Sequence, residues 1–142
     1  MTFAASNIQH LVKSEDLNHH RTLYAGRTAE WFVETGFVAA ASLLPPESIV
    51  CLKIHGMEFL HPVRGGDIAS FKGQIVYAGR SSVIAYVRMD VKERQIVEGF
   101  ITFIHVDDDG NPIQHGLVVE PSTEEEQALQ NRAKHLKTQH RI

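Results

Sequence analysis

Three groups of residues stand where a reaction could be run. The first is a polar stretch, Ser14–Thr22, which carries Asn18, His19 and His20 just ahead of a helical segment with Gly26 in its first turn. A helix N-terminus presents free N–H groups and the positive end of a dipole, so this junction can hold a carbonyl or a developing negative oxygen. Gly26 lacks the side chain that would keep a ligand off that backbone. The second group is the pair of carboxylates Glu30 and Glu34 further along the same segment, each able to act as a base or nucleophile. The third is Arg80-Ser81-Ser82, whose guanidinium and hydroxyls suit phosphate oxygens.

Each group also has a plainer reading. Ala25-Gly26 can be a tight loop-to-helix junction and Asn18 a turn residue. Glu30 and Glu34 can form a salt-bridge face with Arg27, and Arg80-Ser81-Ser82 can be a polar turn. His19 and His20 are adjacent, which is poor spacing for one metal, and no HExxH or CxxC pattern occurs. They read as loop histidines facing solvent, with His20 able to assist proton transfer.

The elements that must position these groups follow from periodicity. Asn7–Lys13 reads as a short first strand. Tyr24–Leu44 is a long Ala-rich helix stopped by Pro45-Pro46, and its apolar residues occupy most of the circumference, which predicts a buried helix. The period then changes to two. Ile49–Leu60 reads as a strand with a bulge at Gly56. Ile68–Ala78 sets Ala69, Phe71, Ile75 and Tyr77 on one face, and Val83–Val91 sets Val83, Ala85, Val87, Met89 and Val91 together. Ile96–Val106, apolar on both faces, reads as a central strand. Arg64-Gly65-Gly66-Asp67, Gly79-Arg80-Ser81, Glu93-Arg94-Gln95 and Asp107–Pro112 read as turns. Ser122–His140 reads as a polar terminal helix with a Ser-Thr-Glu-Glu capping pattern. Strands beside one segregated helix, joined by short connections, predict an α+β fold with a mainly antiparallel five-stranded sheet.

Composition bounds the function. The 142 residues, 43% hydrophobic and 22% charged with a net charge of −3, suit a single domain spanning residues 1–142. The interspersed charge argues against a nucleic-acid partner. Cys51 is the only cysteine, so no intrachain disulfide can form, which fits a reducing cytoplasm. Met1–Ser6 has no basic or apolar stretch of a signal peptide. The longest apolar stretch, Ala29–Leu44, is too short and too charged to span a membrane. A cytoplasmic location is therefore expected.

Four segments resemble the hotdog-fold acyl-CoA thioesterases. Asn18-His19-His20-Arg21-Thr22-Leu23-Tyr24-Ala25-Gly26 resembles their loop-to-helix segment. Phe59-Leu60-His61-Pro62-Val63-Arg64-Gly65-Gly66-Asp67 is similar to their F-x-x-P-V-x-x-G-D connection, and Val76-Tyr77-Ala78-Gly79-Arg80-Ser81-Ser82 to their V-x-x-G-R-S-S turn. Phe100–Asp107 resembles the last core strand. Together they cover residues 7–112 in family order. Two positions depart from the pattern. Ala25 replaces the first of two glycines, and Val33 stands where the family has its catalytic aspartate, with Glu34 beside it.

The resemblance implies a sheet wrapped around one central helix and hydrolysis of acyl-CoA, with no cofactor beyond the coenzyme A of the substrate. Thioester hydrolysis needs an oxyanion stabiliser, a carboxylate and a group to hold water. The helix start at Gly26 can supply the first, and Asn18 matches the family residue that orients the water or the thioester. Glu34, beside the position where the resemblance puts the carboxylate, is the candidate base or nucleophile. The resemblance gives the coenzyme A phosphates to Arg80, Ser81 and Ser82. Val33 lies almost above Gly26, Glu34 about 80° away and Glu30 about 40° away at 3.6 residues per turn. Trp31, Phe32 and Phe59 are candidates for an acyl channel or for plain core. In the family the asparagine and the carboxylate come from different hotdog halves, which implies a homo-oligomer: a dimer, tetramer or hexamer. A non-catalytic acyl-CoA-binding module and a hotdog dehydratase using His20 are the alternatives.

Overall fold

The computed structural model describes residues 3–139. Met1, Thr2 and His140, at the ends of the N-terminal segment and terminal helix read above, lie outside the described residues. The order is β1 (Ala5–Leu11), α1 (Ala25–Ala41), β2 (Ile49–His55), β3 (Ile68–Ala78), β4 (Ser82–Val91), β5 (Arg94–His105) and α2 (Glu124–Gln139). The strands form one sheet in the order β1-β3-β4-β5-β2, every neighbouring pair antiparallel. This is the α+β arrangement that the periodicity predicts, with β5 inside the sheet and β2 at an edge.

Several boundaries differ from the reading of the sequence, for local reasons. Tyr24 is the N-cap of α1, and the helix stops at Ala41. Leu44 precedes Pro45 and cannot stay helical without a clash, so the amides of Leu43 and Leu44 both turn back onto the Ala40 carbonyl. Strand β2 ends at His55 because Gly56 adopts φ 77°, and its bulge lies between Cys51 and Lys53, not at Gly56. A second irregularity between Ile75 and Tyr77 pairs Tyr77 with Ile84, so Tyr77 leaves the face shared by Ala69, Phe71 and Ile75. The β4–β5 turn is Lys92-Glu93, earlier than read, with φ 52° and 62° and Val91 paired to Arg94. Two positive φ values make a type I′ hairpin turn, built here without the glycine or asparagine that would announce it.

Helix α1 crosses one face of the sheet and buries Thr28, Trp31, Phe32, Thr35, Gly36, Ala39 and Ala40 against it. The contact is close. A Cβ on Gly73 would lie 2.9 Å from the Thr35 carbonyl oxygen, and one on Gly36 would lie 2.8 Å from the tip of Ile101. Phe32, Phe71, Met89, Ile101 and Phe103 fill the space around this contact and are fully buried. The helix is not buried all round, contrary to its composition: Glu30, Glu34 and Val38 are exposed, and Val33 and Phe37 are half-buried. Its second apolar side has no cover among the described residues of one chain.

Helix α2 lies over the opposite face. Glu98 and Phe100 alternate with Gly99 and Ile101 along β5 and so point away from α1, and Arg132 reaches both: 2.8 Å to Glu98 and 4.9 Å from the Phe100 ring centre. Gln130 donates to the carbonyls of Val76 and Val119. The Thr123 hydroxyl caps α2 by accepting the Glu126 amide, and Glu126 in turn accepts from Ser122. No helix among the described residues is long and apolar enough to cross a membrane.

The docking of α2 is expected to depend on pH through Glu98. Burial alone would raise the Glu98 carboxyl, but hydrogen bonds from Arg132 and Tyr86 outweigh it and hold Glu98 below its ordinary value. A carboxylate depressed in the folded state stabilises above its unfolded pKa, and the gain is lost as pH falls through the folded value. Glu98→Gln is therefore expected to lower the melting temperature at neutral pH. It should also make the decline through the carboxylate range shallower than in wild type, as read by thermal melts across that range.

Candidate active site

The segment between β1 and α1 is a closed loop. The Tyr24 amide donates to the Asp16 carbonyl at 2.9 Å, and the Leu23 amide donates to Val63 at 2.7 Å. Asn18 organises the interior: its Oδ1 accepts the amides of His20 at 2.8 Å and Thr22 at 3.2 Å, while its Nδ2 donates to the Thr22 hydroxyl. Arg21 takes φ 63° to complete the reversal. Asn18 therefore fills the turn role that its residue type suggests, with the second Nδ2 hydrogen uncommitted among the described residues.

At the helix start, the amides of Arg27 and Thr28 bond to the Tyr24 carbonyl. Those of Ala25 and Gly26 find no acceptor among the described residues, as expected for the first turn of a helix. Gly26 is exposed, but the Tyr24 ring lies over it: a Cβ there would sit 2.4 Å from Tyr24 Cε2. Asn18, Gly26 and Glu30 line one cavity of about 390 Å³ together with Asp16, Tyr24 and Arg27. Asn18 also lines a second of about 300 Å³ with Thr22, Ala25, Phe59 and Leu60.

The carboxylates part company. Glu30 pairs with Arg27 at 3.4 Å, the salt-bridge face anticipated for it, and Arg27 Nε also holds Asp16 at 3.1 Å. Glu34 is exposed, makes no ion pair among the described residues and does not line the cavities around Asn18. It lies eight residues beyond Gly26, about 12 Å along the helix. Val33 is half-buried and packs against the core.

The turn at Arg80 is farther away still. Strand β3 carries the chain about 33 Å from the helix-start end of the sheet to the opposite end. There Arg80, Ser81 and Ser82 line a groove of about 620 Å³ with Val50, Leu52, Ile104 and Pro112. Arg80 is exposed without an ion-pair partner among the described residues, and Ser82 is buried as the first residue of β4. The His115 ring lies 2.9 Å from the Ser82 carbonyl oxygen, a contact that no motif or spacing announces. One chain thus brings Asn18 and Gly26 together and leaves Glu34 and the Arg80 turn apart from them. Of the aromatic strip, Phe32 and Trp31 are core, Trp31 stacked on His10 at 4.2 Å, and only Phe59 faces a cavity. Among the described residues no group of His, Cys, Asp and Glu is placed to hold a metal ion. Asp16, Tyr24 and Arg27 were not among the candidates, since nothing in a polar loop announces that Asp16 is buried.

Comparison with known proteins fixes the family. The model of the thioesterase superfamily matches residues 20–98, and the chain belongs to that superfamily. It is 28% identical over 124 residues to a Bacillus subtilis (strain 168) protein described as an uncharacterized acyl-CoA thioester hydrolase, YkhA, covering 83% of this chain and 71% of the relative. The crystal structure of an acyl-CoA hydrolase from Bacillus cereus superposes with a TM-score of 0.87 at 26% identity, over 96% of this chain and 85% of that one. An apo-hexameric acyl-CoA thioesterase superposes at 0.83 with 28% identity, over 95% and 89%. The sheet with its long helix is the hotdog fold.

The contact between Gly26 and Tyr24 yields a direct test. Gly26→Ala is expected to swing the exposed Tyr24 ring off the helix start. Thermal stability should change little, because alanine gains about 1 kcal/mol of helix propensity over glycine against the displaced contact. Melting curves and the Tyr24 ring resonances would read the two effects separately.

Proposed function

We propose that this chain hydrolyses acyl-CoA to a carboxylic acid and coenzyme A, at a site shared between two copies. The observation that carries the reading is the pair of free amides on Ala25 and Gly26 beside Asn18, in a chain of the thioesterase superfamily. The thioester carbonyl oxygen would accept from these amides, where the helix dipole favours the charge that develops on it. The uncommitted N–H of Asn18 would hold the water. A carboxylate then takes a proton from that water as its oxygen bonds to the carbonyl carbon; collapse of the tetrahedral intermediate breaks the C–S bond, and the thiolate leaves and is protonated. Direct attack by the carboxylate, followed by hydrolysis of the anhydride, gives the same products.

Glu34 is the proposed carboxylate, contributed by the second copy. Two surfaces support such a partner. One is the uncovered side of α1 with Glu34 and Val38, and the other is edge strand β2, which exposes Val50, Leu52 and Ile54 by 50%, 41% and 41%. A bare apolar edge strand is a template for strand pairing. A two-fold axis that joins two such edges antiparallel sets opposite ends of the two sheets side by side. The partner's Arg80-Ser81-Ser82 turn would then lie toward this chain's Asn18 loop, where coenzyme A phosphates need cations. We therefore expect a dimer or an even multiple of it, a tetramer or hexamer, as the hexameric thioesterase similar to this chain suggests. Val33 at the family's carboxylate position favours one other reading, an acyl-CoA-binding module without turnover.

Thiol release from a panel of acyl-CoAs separates the two readings: turnover supports hydrolysis, and tight binding without release supports the module. With turnover in hand, Glu34→Gln is expected to lower kcat about 10²–10⁴-fold, the scale of a lost general base. Near-normal kcat in that variant would pass the role to Glu30. Arg80→Ala should weaken acyl-CoA binding by about 1.5–3 kcal/mol, the value of a charged hydrogen bond, and act on KM more than kcat. The loss should shrink on a substrate cut back to the pantetheine arm, whereas an equal loss on both substrates would mean a structural role.

A further inference from the structure

We infer that Asp16 is a positioning residue for the hydrolysis proposed above, on which this inference rests. Asp16 is the one charged residue among the buried polar residues of the described chain, 4% exposed. A buried carboxylate is costly unless it is paired and hydrogen-bonded, and here each contact goes to a different part of the site. Its Oδ2 accepts the Lys13 amide at 2.9 Å, where the loop leaves β1. Its Oδ1 meets Arg27 Nε at 3.1 Å, in the first turn of α1. Its carbonyl accepts the Tyr24 amide at the helix N-cap. One residue therefore ties both ends of the loop to the helix start.

The loop's interior does not depend on that tie. Asn18, His20 and Thr22 hold one another through their own hydrogen bonds. What Asp16 fixes is where this preformed turn stands relative to the free amides of Ala25 and Gly26, and Asp16 lines the same cavity as Asn18 and Gly26. Water and thioester must meet at a set distance, so an error of about 1 Å between Asn18 and the helix start costs up to about a hundredfold in rate. Arg27 is the other half of the device. Its other ion pair among the described residues is with exposed Glu30 at 3.4 Å, which leaves the helix side of the tie resting on Asp16.

Asp16→Asn keeps an acceptor for the Lys13 amide and removes the charge that holds Arg27. At a temperature where melting curves show it fully folded, kcat for acyl-CoA thiol release should fall about tenfold to a hundredfold. KM should stay within about threefold, because the site is misaligned and not emptied. If Asp16→Asn does not fold, Arg27→Gln cuts the same ion pair from its half-exposed end and should give the same split. Where both fold, the double variant should lose no more than the worse single one, since the two residues act as one tie. Unchanged kcat in a folded variant, a loss confined to KM, or losses that multiply in the double variant would each overturn the assignment. A wild type that releases no thiol from any acyl-CoA removes the hydrolytic reading and this inference with it; an active wild type beside an unimpaired Asp16→Asn removes this inference alone.

Discussion

Gly73 lies so close under Thr35 that a Cβ on the glycine would press on both the Thr35 carbonyl oxygen and its side-chain methyl, and no side chain larger than hydrogen fits between them without moving one. Everything else in the protein is arranged around that approach. It lets α1 lie flat on β3 and β4, with Gly36 against Ile101 and Phe32 buried beyond it. A helix set this low cannot slide or roll without driving a side chain into the sheet. The contact therefore fixes which face of α1 looks outward, and it fixes the end of the sheet at which the helix begins. The loop from Lys13 to Tyr24 has to close over that end, and the first amides of the helix are left free there because no residue stands four positions earlier in the helix to accept them.

How much of this the sequence disclosed depended on whether a feature was local. The two prolines after α1, the period-two strands and the turn at Gly79-Arg80-Ser81 are written in residue types, and the architecture follows from them. The turn between β4 and β5 was read one residue late, because the positive φ values of Lys92 and Glu93 are imposed by strand pairing on residues that do not favour them. The shift at Ile75–Tyr77 was hidden for a related reason: a bulge inserts a residue without changing an apolar pattern that already runs on both faces. The burial of α1 was overestimated, since composition reports that a surface is apolar and not which molecule covers it.

The site divides in the same way. Asn18 and Gly26 could be found because their types and spacing match a family motif, and the fold brings them to one cavity. Asp16 could not, since an acid in a polar loop looks solvated until Arg27 is placed against it. The distance from Asn18 to the Arg80 turn was equally invisible: the motifs follow in sequence order, while β3 carries them to opposite ends of the sheet. Under the proposed function, exposed Glu34, the bare side of α1 and the apolar edge of β2 would form half of an active site, to be completed by a second copy of the same surface.

Subunit complementation tests that claim most directly. Asn18→Ala and Glu34→Gln chains are made separately, each with little thiol release of its own, then unfolded together and refolded as a mixture. If the site is shared, half of the pairs are hybrids, and each hybrid holds one intact site and one doubly altered site. The mixture should then recover about a quarter of wild-type acyl-CoA hydrolysis by random two-fold pairing. A mixture no more active than its two components, with hybrids present by mass, would contradict a site shared between copies.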